Sequence, residues 1–328
     1  MIIQRKKIIS LTSLVLCFFI VISIVPINVQ AAGPNTKYCV NLLSSPGAEV
    51  PSAAWGTWVL NPSQSTLNFG TPINNKQLVR TGSKSIFIDT SSGGYGQYHQ
   101  DVTGLTIGNK YIASVWVNTS KVTSGDSWSV SIACGNSTAT INNRNTNGWE
   151  QLKVEFTAQL SDVRLILLAG GTDVAVSFDD AVLVQTFSDQ EISWLAQLIF
   201  WEVKGHNSYC LELAGQVAIN RVNAGGYYQN YNTLQAVINQ PSQYASANYV
   251  FNGKWTESTY STPTYTTYKN QAIAAARKLA CGESVDENGN AWPSNVYYQH
   301  SFSSSTALGP LFKTYTAPDG SKEHFNFG

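Results

Sequence analysis

The feature that most constrains this chain is a change of hydrophobic period near residue 188. Before it, apolar residues tend to recur at every second position. Within Lys110–Asn118, Tyr111, Ala113, Val115 and Val117 alternate with Ile112, Ser114 and Trp116. Similar short runs occur at Ser85–Ile88, Ser127–Ala133, Glu150–Phe156, Val163–Leu168 and Val174–Leu183, with Gly, Asn, Ser and Thr clusters between them. Short strands separated by turn signals predict an antiparallel β-sandwich over 33–186. After Ser188 the period becomes helical. Ser188-Asp189-Gln190-Glu191 reads as a capping box, and Ile192, Leu195, Ala196, Ile199 and Val203 follow at helical spacing, with Gly205 as the stop. Further helices are predicted from about Leu211 to Val222 and from Tyr268 to Leu279, with a short strand at Tyr297-Tyr298. The expected fold is therefore two domains, a β-sandwich and a mainly α domain over 188–328, meeting at a short junction near Thr186–Asp189.

The N-terminus bears on location. Arg5, Lys6 and Lys7 precede an apolar run from Ile8 to about Ile27, which ends in Val29-Gln30-Ala31. A basic region, an apolar region and small residues at the cleavage site are the pattern of a secretory signal peptide. The expectation is a signal peptide over 1–31, cleaved after Ala31, and a secreted, extracellular or cell-wall-associated protein that meets the membrane only in transit. A retained anchor is the competing reading, because the run approaches a spanning length. Three of the 20 Lys and Arg, and none of the 20 Asp and Glu, lie in those 31 residues, leaving 17 against 20 and a net charge of −3. That balance offers no basic field for nucleic acid. A monomer is the default expectation. Outside the signal stand Cys39, Cys134, Cys210 and Cys281. Two fall in each half, so Cys39–Cys134 and Cys210–Cys281 are the disulfides expected if any form in an exported chain.

Glu202 is the residue whose position points to chemistry. At helical spacing it lies beside Leu195 and Ile199, on the edge of the apolar stripe. It also falls in the last turn, where the helix macrodipole is negative. Partial burial and that dipole both disfavour the carboxylate and raise its pKa. This is what a general acid for a glycosidic oxygen needs. A solvated glutamate paired with Lys204 or Arg221 is the plainer alternative. If a second carboxylate takes part, Glu212 and Glu257 are the nearest in sequence.

Three segments of the first half carry a resemblance: Asn41-Leu42-Leu43-Ser44-Ser45-Pro46-Gly47-Ala48-Glu49, Tyr98 to Trp116, and Phe178-Asp179-Asp180-Ala181-Val182-Leu183. Together they are similar to carbohydrate-binding modules of the galactose-binding-like jelly-roll type, over about 38–185. The resemblance implies a jelly roll and a structural calcium on Glu49 and an aspartate of the closing strand, Asp180. The family's usual Phe before that glutamate is Ala48 here. Sugar faces pack on flat rings, and Trp55, Trp58, Tyr95 and Tyr98 lie in loop-like sequence, whereas Trp116 sits in an alternating strand and fits the core equally well.

The second half has its own resemblance. Leu195-Ala196-Gln197-Leu198-Ile199-Phe200-Trp201-Glu202-Val203-Lys204-Gly205 is followed by Gly215-Gln216-Val217-Ala218 and Asn220-Arg221-Val222, then Val237-Ile238, Gln243-Tyr244, Val296-Tyr297-Tyr298 and His324-Phe325. This ordered set resembles the cell-wall hydrolase family of the spore-cortex-lytic enzymes SleB and CwlJ, over about 188–327. The family's second glutamate is His206 here, and the Tyr/Thr/Ser-rich stretch from Asn252 to Thr267 has no counterpart. The resemblance implies a lysozyme-like fold and peptidoglycan as partner. It also implies metal-free cleavage by a single catalytic glutamate, Glu202, as in lytic transglycosylases. Glu202 would protonate the leaving oxygen and then assist attack by the muramyl C6 hydroxyl, giving an anhydro product. Gln216, Asn220, Gln243 and Tyr298 would orient the glycan and Glu202. Gln216 and Asn220 are four apart and share a helix face, which fits helix–helix hydrogen bonding equally well.

Two other chemistries fit less well. His206, His300 and His324 have no zinc-ligand spacing, and neither Cys210 nor Cys281 has a nucleophile context. The alternative from another class is a non-catalytic wall- or polysaccharide-binding protein with a drifted second half.

Overall fold

A computed structural model describes residues 37–50, 54–60, 62–73, 75–90, 94–121, 128–224, 231, 233–241, 243–244, 246–252, 254–300 and 310–327. The expected signal peptide lies outside them. The alternating half forms ten strands: β1 (Trp55–Val59), β2 (Ser65–Gly70), β3 (Ser85–Thr90), β4 (Gly94–Thr103), β5 (Lys110–Lys121), β6 (Trp128–Cys134), β7 (Ser137–Asn142), β8 (Glu150–Thr157), β9 (Asp162–Gly171) and β10 (Val174–Gln185). They make two five-stranded antiparallel sheets, ordered β1-β4-β9-β6-β7 and β2-β3-β10-β5-β8. The inner faces carry the apolar members of the alternation. Tyr98, Val130, Ile132, Leu165 and Leu167 of the first sheet share one core with Ile86, Ile88, Tyr111, Val115, Val176 and Phe178 of the second. Each such side chain, fully buried, contributes roughly 1.5–3 kcal/mol.

The helical half contains α1 (Asp189–Val203), α2 (Ser208–Asn223), α3 (Leu234–Ile238), α4 (Ala247–Phe251) and α5 (Pro263–Ala280), then a three-stranded sheet of β11 (Val296–His300), β12 (Leu311–Thr316) and β13 (Lys322–Phe327), with β13 in the middle. The capping box forms as expected: the Ser188 hydroxyl accepts from the Glu191 amide, and the Glu191 carboxylate accepts from the Ser188 amide at 2.9 Å. Helix α2 begins at Ser208, capped by Asn207, three residues before the expected start. Helix α5 begins at Pro263, capped by Thr262, so the end of the Tyr/Thr/Ser-rich stretch is its first turn. Gly215 lets α2 approach its neighbours: a Cβ there would stand 2.5 Å from Leu279 and 2.8 Å from Ile199, both buried.

The halves have separate cores but a shared seam. The arm Tyr38–Leu43 runs beside β10, with Cys39 donating to Gln185 and Leu42 to Leu183. Tyr38 then grips α2: its amide donates to Asn223 Oδ1 at 2.9 Å, its carbonyl accepts from Asn223 Nδ2 at 2.8 Å, and its ring stacks on Phe187. On the outer face of the second sheet, Cys281 packs against Ile112 and Val184, while Gln151 donates to Glu283 and Lys153 to the Cys281 sulfur.

Neither expected disulfide forms; all four cysteines of the described residues are free. The reason is where they pack. Cys134 belongs to the sandwich core, while Cys39 packs against the helical core. Cys210 lies in the helical core, while Cys281 lies on the sandwich. Among the described residues, no helix is long and apolar enough to cross a membrane.

Candidate functional site

Glu202 sits where its helix ends. The inner face of α1 (Leu195, Leu198, Ile199 and Val203) is buried, and the chain turns away at Lys204 and Gly205, the latter at φ +91°. Glu202 is half-buried beside that face. Burial pushes its carboxyl above the ordinary carboxylate range, against the hydroxyl and amide of Ser246 and the charges of Lys204 and Arg221, which pull it down. The Ser246 hydroxyl donates to Glu202 Oε1 at 2.5 Å. Ser246 precedes α4 in the N-cap position but makes no side-chain cap, because its hydroxyl is turned to Glu202 instead.

Around this carboxyl the chain gathers polar and aromatic groups. The Arg221 guanidinium lies 5.1 Å from the Tyr244 ring, and its Nε donates to the Tyr297 carbonyl at 2.8 Å. Trp201, next to Glu202, packs against Tyr249 and Tyr260 at 5.1 and 4.9 Å between ring centroids. Lys204 lies 5.5 Å from the Trp201 ring and Lys254 5.6 Å from that of Tyr249, which is 44% exposed. This aromatic wall draws on the stretch between residues 249 and 260, for which the sequence offered no role.

The other expected site residues divide. Asn220 is buried and its amide donates to the carbonyls of Pro293 and Val296, both at 2.9 Å, while its Oδ1 accepts from Gln216. Of the two readings the sequence left open, the geometry favours the structural one: Asn220 is a strut between α2 and the start of β11, with both amide hydrogens engaged, and Gln216 supports it. Gln243 is half-buried in the loop that carries Tyr244 and Ser246. Tyr298 lies on β11, but its side chain is outside what is described. Glu212 is buried and bound to Lys278 at 2.9 Å and Ser284 at 2.5 Å, and Glu257 is exposed beside Lys254. Neither accompanies Glu202. A cleft of about 190 Å³ lined by His206, Leu211, Glu212 and Lys278 is built around that Glu212–Lys278 pair.

A different carboxylate was missed. Glu323 on β13 is 8% exposed and takes a 3.4 Å hydrogen bond from Gln299 of β11. Burial, then the charge of Glu202, lifts its pKa to about 7, against the Gln299 hydrogen bond. The signal was available: Phe325 was legible as an apolar residue, and in a strand Glu323 shares its face.

The calcium expected on Glu49 and Asp180 does not suit the groups present. Both Glu49 oxygens accept from protein donors, the amides of Ser83 and Lys84 at 2.8 and 2.9 Å and the Ser83 hydroxyl at 3.0 Å. Asp180 accepts from Arg80 at 2.5 Å and from Thr81 at 2.6 Å. Calcium takes six to eight oxygen ligands, and no group of three or more His, Cys, Asp or Glu among the described residues could hold a metal.

The sandwich presents a second candidate surface. Trp55, Trp58, Tyr95 and Tyr98, expected in loops, lie on β1 and β4. Side chains alternate along a strand, so Trp55 and Tyr98 point into the core while Trp58, Tyr95, Gln97 and His99 take the outer face. Pairing aligns Trp58, Gln97, Leu168, Ser131 and Thr140 in one row across all five strands. The Tyr95 ring fills the space over Gly170 that a Cβ would need, and the His99 ring does the same over Gly56. Trp58 is 38% exposed. Trp116 lies on the other sheet, under the Arg80 guanidinium at 4.0 Å.

No family model matches the sequence, and no curated protein does. Among solved structures, TmCBM61 in complex with beta-1,4-galactotriose is similar at 14% identity, covering 44% of this chain and 99% of that one, with a TM-score of 0.36. The CBM22-1 xylan-binding domain of Paenibacillus barcinonensis Xyn10C is similar at 14% identity, 46% and 97% coverage, and a TM-score of 0.32. Tailspike protein 4 of bacteriophage CBA120 is similar at 13% identity, 44% and 21% coverage, and a TM-score of 0.34.

Proposed function

We propose that this is a secreted, glycan-binding enzyme that cleaves glycosidic bonds in peptidoglycan. In this reading the helical half is a lysozyme-like catalytic domain and the sandwich holds the polymer. The observation that carries it is Glu202: a half-buried carboxyl with its pKa raised, held by Ser246 at 2.5 Å, beside an aromatic wall suited to sugar faces. Glu202 donates its proton to the leaving oxygen, and no metal is needed. Whether the wall is vegetative or spore cortex depends on contacts beyond this carboxyl.

Mass spectrometry of digested peptidoglycan tests the reading. Wild-type protein is expected to release glycan fragments, and Glu202→Gln to lose activity at least a hundredfold. Full activity in Glu202→Gln removes the assignment, and free stem peptides would point to an amidase.

The outer face of the first sheet favours a second reading, a glycan-binding protein without catalysis, because Trp58, Tyr95 and His99 form a binding surface that does not depend on Glu202. Isothermal titration with purified wall glycan and with Trp58→Ala separates the two. Binding weakened about tenfold by Trp58→Ala, with no fragments from wild type, leaves binding alone.

A further inference from the structure

The seam between the sandwich and the helical half holds an amine and a thiol in direct contact. On β8 the inward residues Leu152, Val154 and Phe156 belong to the sandwich core, so Gln151, Lys153 and Glu155 take the outer face. The end of α5 meets that face. Cys281, its C-cap, packs on Ile112 and Val184 and is 7% exposed. The Lys153 ammonium donates to the Cys281 sulfur at 2.8 Å, and beside it Gln151 donates to Glu283 at 3.0 Å. The two reactive atoms therefore come from different halves of the protein and from positions 128 residues apart in the chain.

The carboxylates around Lys153 are engaged elsewhere, Glu155 with Lys110 at 3.3 Å and Glu283 with Gln151. Among the described residues Lys153 makes no ion pair, and its ammonium is left to the sulfur. Cys39 of the arm is the neighbouring thiol: a Cβ on Gly282 would stand 3.8 Å from the Cys39 carbonyl and 2.9 Å from Val184. Cys39, however, packs against the helical core, whereas Cys281 packs on the sandwich. The charged and titratable groups that face the Cys281 sulfur are thus Lys153 and Glu155 from β8, Glu283 just past α5, and Cys39 from the arm. Burial pushes the thiol up; the hydrogen bond and charge of Lys153 oppose this, and Glu283 and Glu155 add to it. The thiolate, which is the form that oxidants attack, becomes commoner as pH rises.

We propose that Lys153 and Cys281 form an oxidative cross-linking site, where dioxygen joins the lysine nitrogen to the cysteine sulfur through one oxygen atom. One oxygen of dioxygen enters the N–O–S bridge and the other leaves as water. The O–O and S–H bonds and N–H bonds of the ammonium break, and an S–O and an N–O bond form. Sulfur and nitrogen each give up two electrons, and dioxygen takes all four. The thiol hydrogen and one amine hydrogen go into the water, and the extra proton of the ammonium goes to solvent. An oxygen between two single bonds holds nitrogen and sulfur at close to hydrogen-bond separation, so the bridge closes with little movement of either side chain. It ties β8 to the end of α5 and constrains the unfolded chain as a disulfide over the same span would. The site does not depend on the glycosidase reading.

The test holds the full chain in air-saturated buffer at neutral and alkaline pH, with and without dithiothreitol, and maps its peptides by mass spectrometry. A joined pair of peptides containing Lys153 and Cys281 is expected. Its mass should be that of the two peptides plus one oxygen and less two hydrogens. It should be more abundant at alkaline pH and absent after dithiothreitol. Lys153→Arg, which keeps the charge, should not form it. Oxidised wild type should melt roughly 5–10 °C above the reduced protein, a difference that Lys153→Arg lacks. A Cys281 thiol still free after exposure to air at both pH values overturns the proposal. So does a disulfide between Cys39 and Cys281, or a cross-link to Lys153 that lacks the oxygen. Should Lys153→Arg fail to fold, the mass of the wild-type product still decides.

Discussion

At the scale of the residue, the site is governed by who donates to which carboxyl. Ser246 lowers the pKa of Glu202 with a hydroxyl and an amide. Ser246→Ala removes the hydroxyl, so Glu202 should hold its proton to higher pH. The basic limb of kcat/KM, measured against pH, is expected to move upward. A limb that stays in place would mean the hydroxyl does not act on Glu202. Glu323 makes a stability prediction of known sign. Its pKa rises from 4.5 to about 7 on folding. Between those values the folded state binds the extra proton, so stability falls as pH rises through that window. Urea melts from pH 4 to 8 should show this fall in wild type and a flatter profile in Glu323→Gln. The residue scale is also where the sequence left two readings open. Asn220 was legible as polar and on the helix face of Gln216, but only the three-dimensional position of Pro293 and Val296 shows that its amide is fully engaged.

At the scale of the element, legibility followed periodicity. Strands β3, β5, β6, β8, β9 and β10 were all visible because their inner positions are apolar. Strand β4 was not, because Gly96 and Gln100 take inward-side positions. Gln100 is buried through two hydrogen bonds to the Ser44 backbone, at 2.7 and 3.1 Å. Tertiary contacts there do what alternation does elsewhere, so the strand leaves no period. Strand β7, at a sheet edge, carries one large apolar residue, Ile141, and in β12 the apolar Leu311, Phe312 and Tyr315 do not alternate. Helix α1 was the most legible element, since its cap, stripe and stop agree. Ser188→Ala should therefore cost about 1 kcal/mol, read as a lower midpoint in urea. An unchanged midpoint would make the capping box redundant with the seam that adjoins it.

At the scale of the whole molecule, two cores do not mean two independent bodies. Tyr38 is held by β10 on one side and by Asn223 of α2 on the other, and Cys281 rests on the sandwich. Calorimetry should therefore give one transition whose van't Hoff and calorimetric enthalpies agree. Asn223→Ala, which removes both bonds to Tyr38, should lower its midpoint or split it. Two separated transitions in wild type would contradict the seam. The change of period near residue 187, from strands to helices, was legible, but the seam was not. It joins residues 38 and 223, and 153 and 281, whose closeness has no local sequence signature.

That seam sets a distance. A gripping face and a cutting carboxyl on a flexible tether would sample many positions along a polymer. In the proposed function the two are instead fastened through Tyr38 and Cys281. Each cut would fall a set number of sugars from the point of hold, and the fragments from one strand would cluster at a preferred length, as if cut against a ruler.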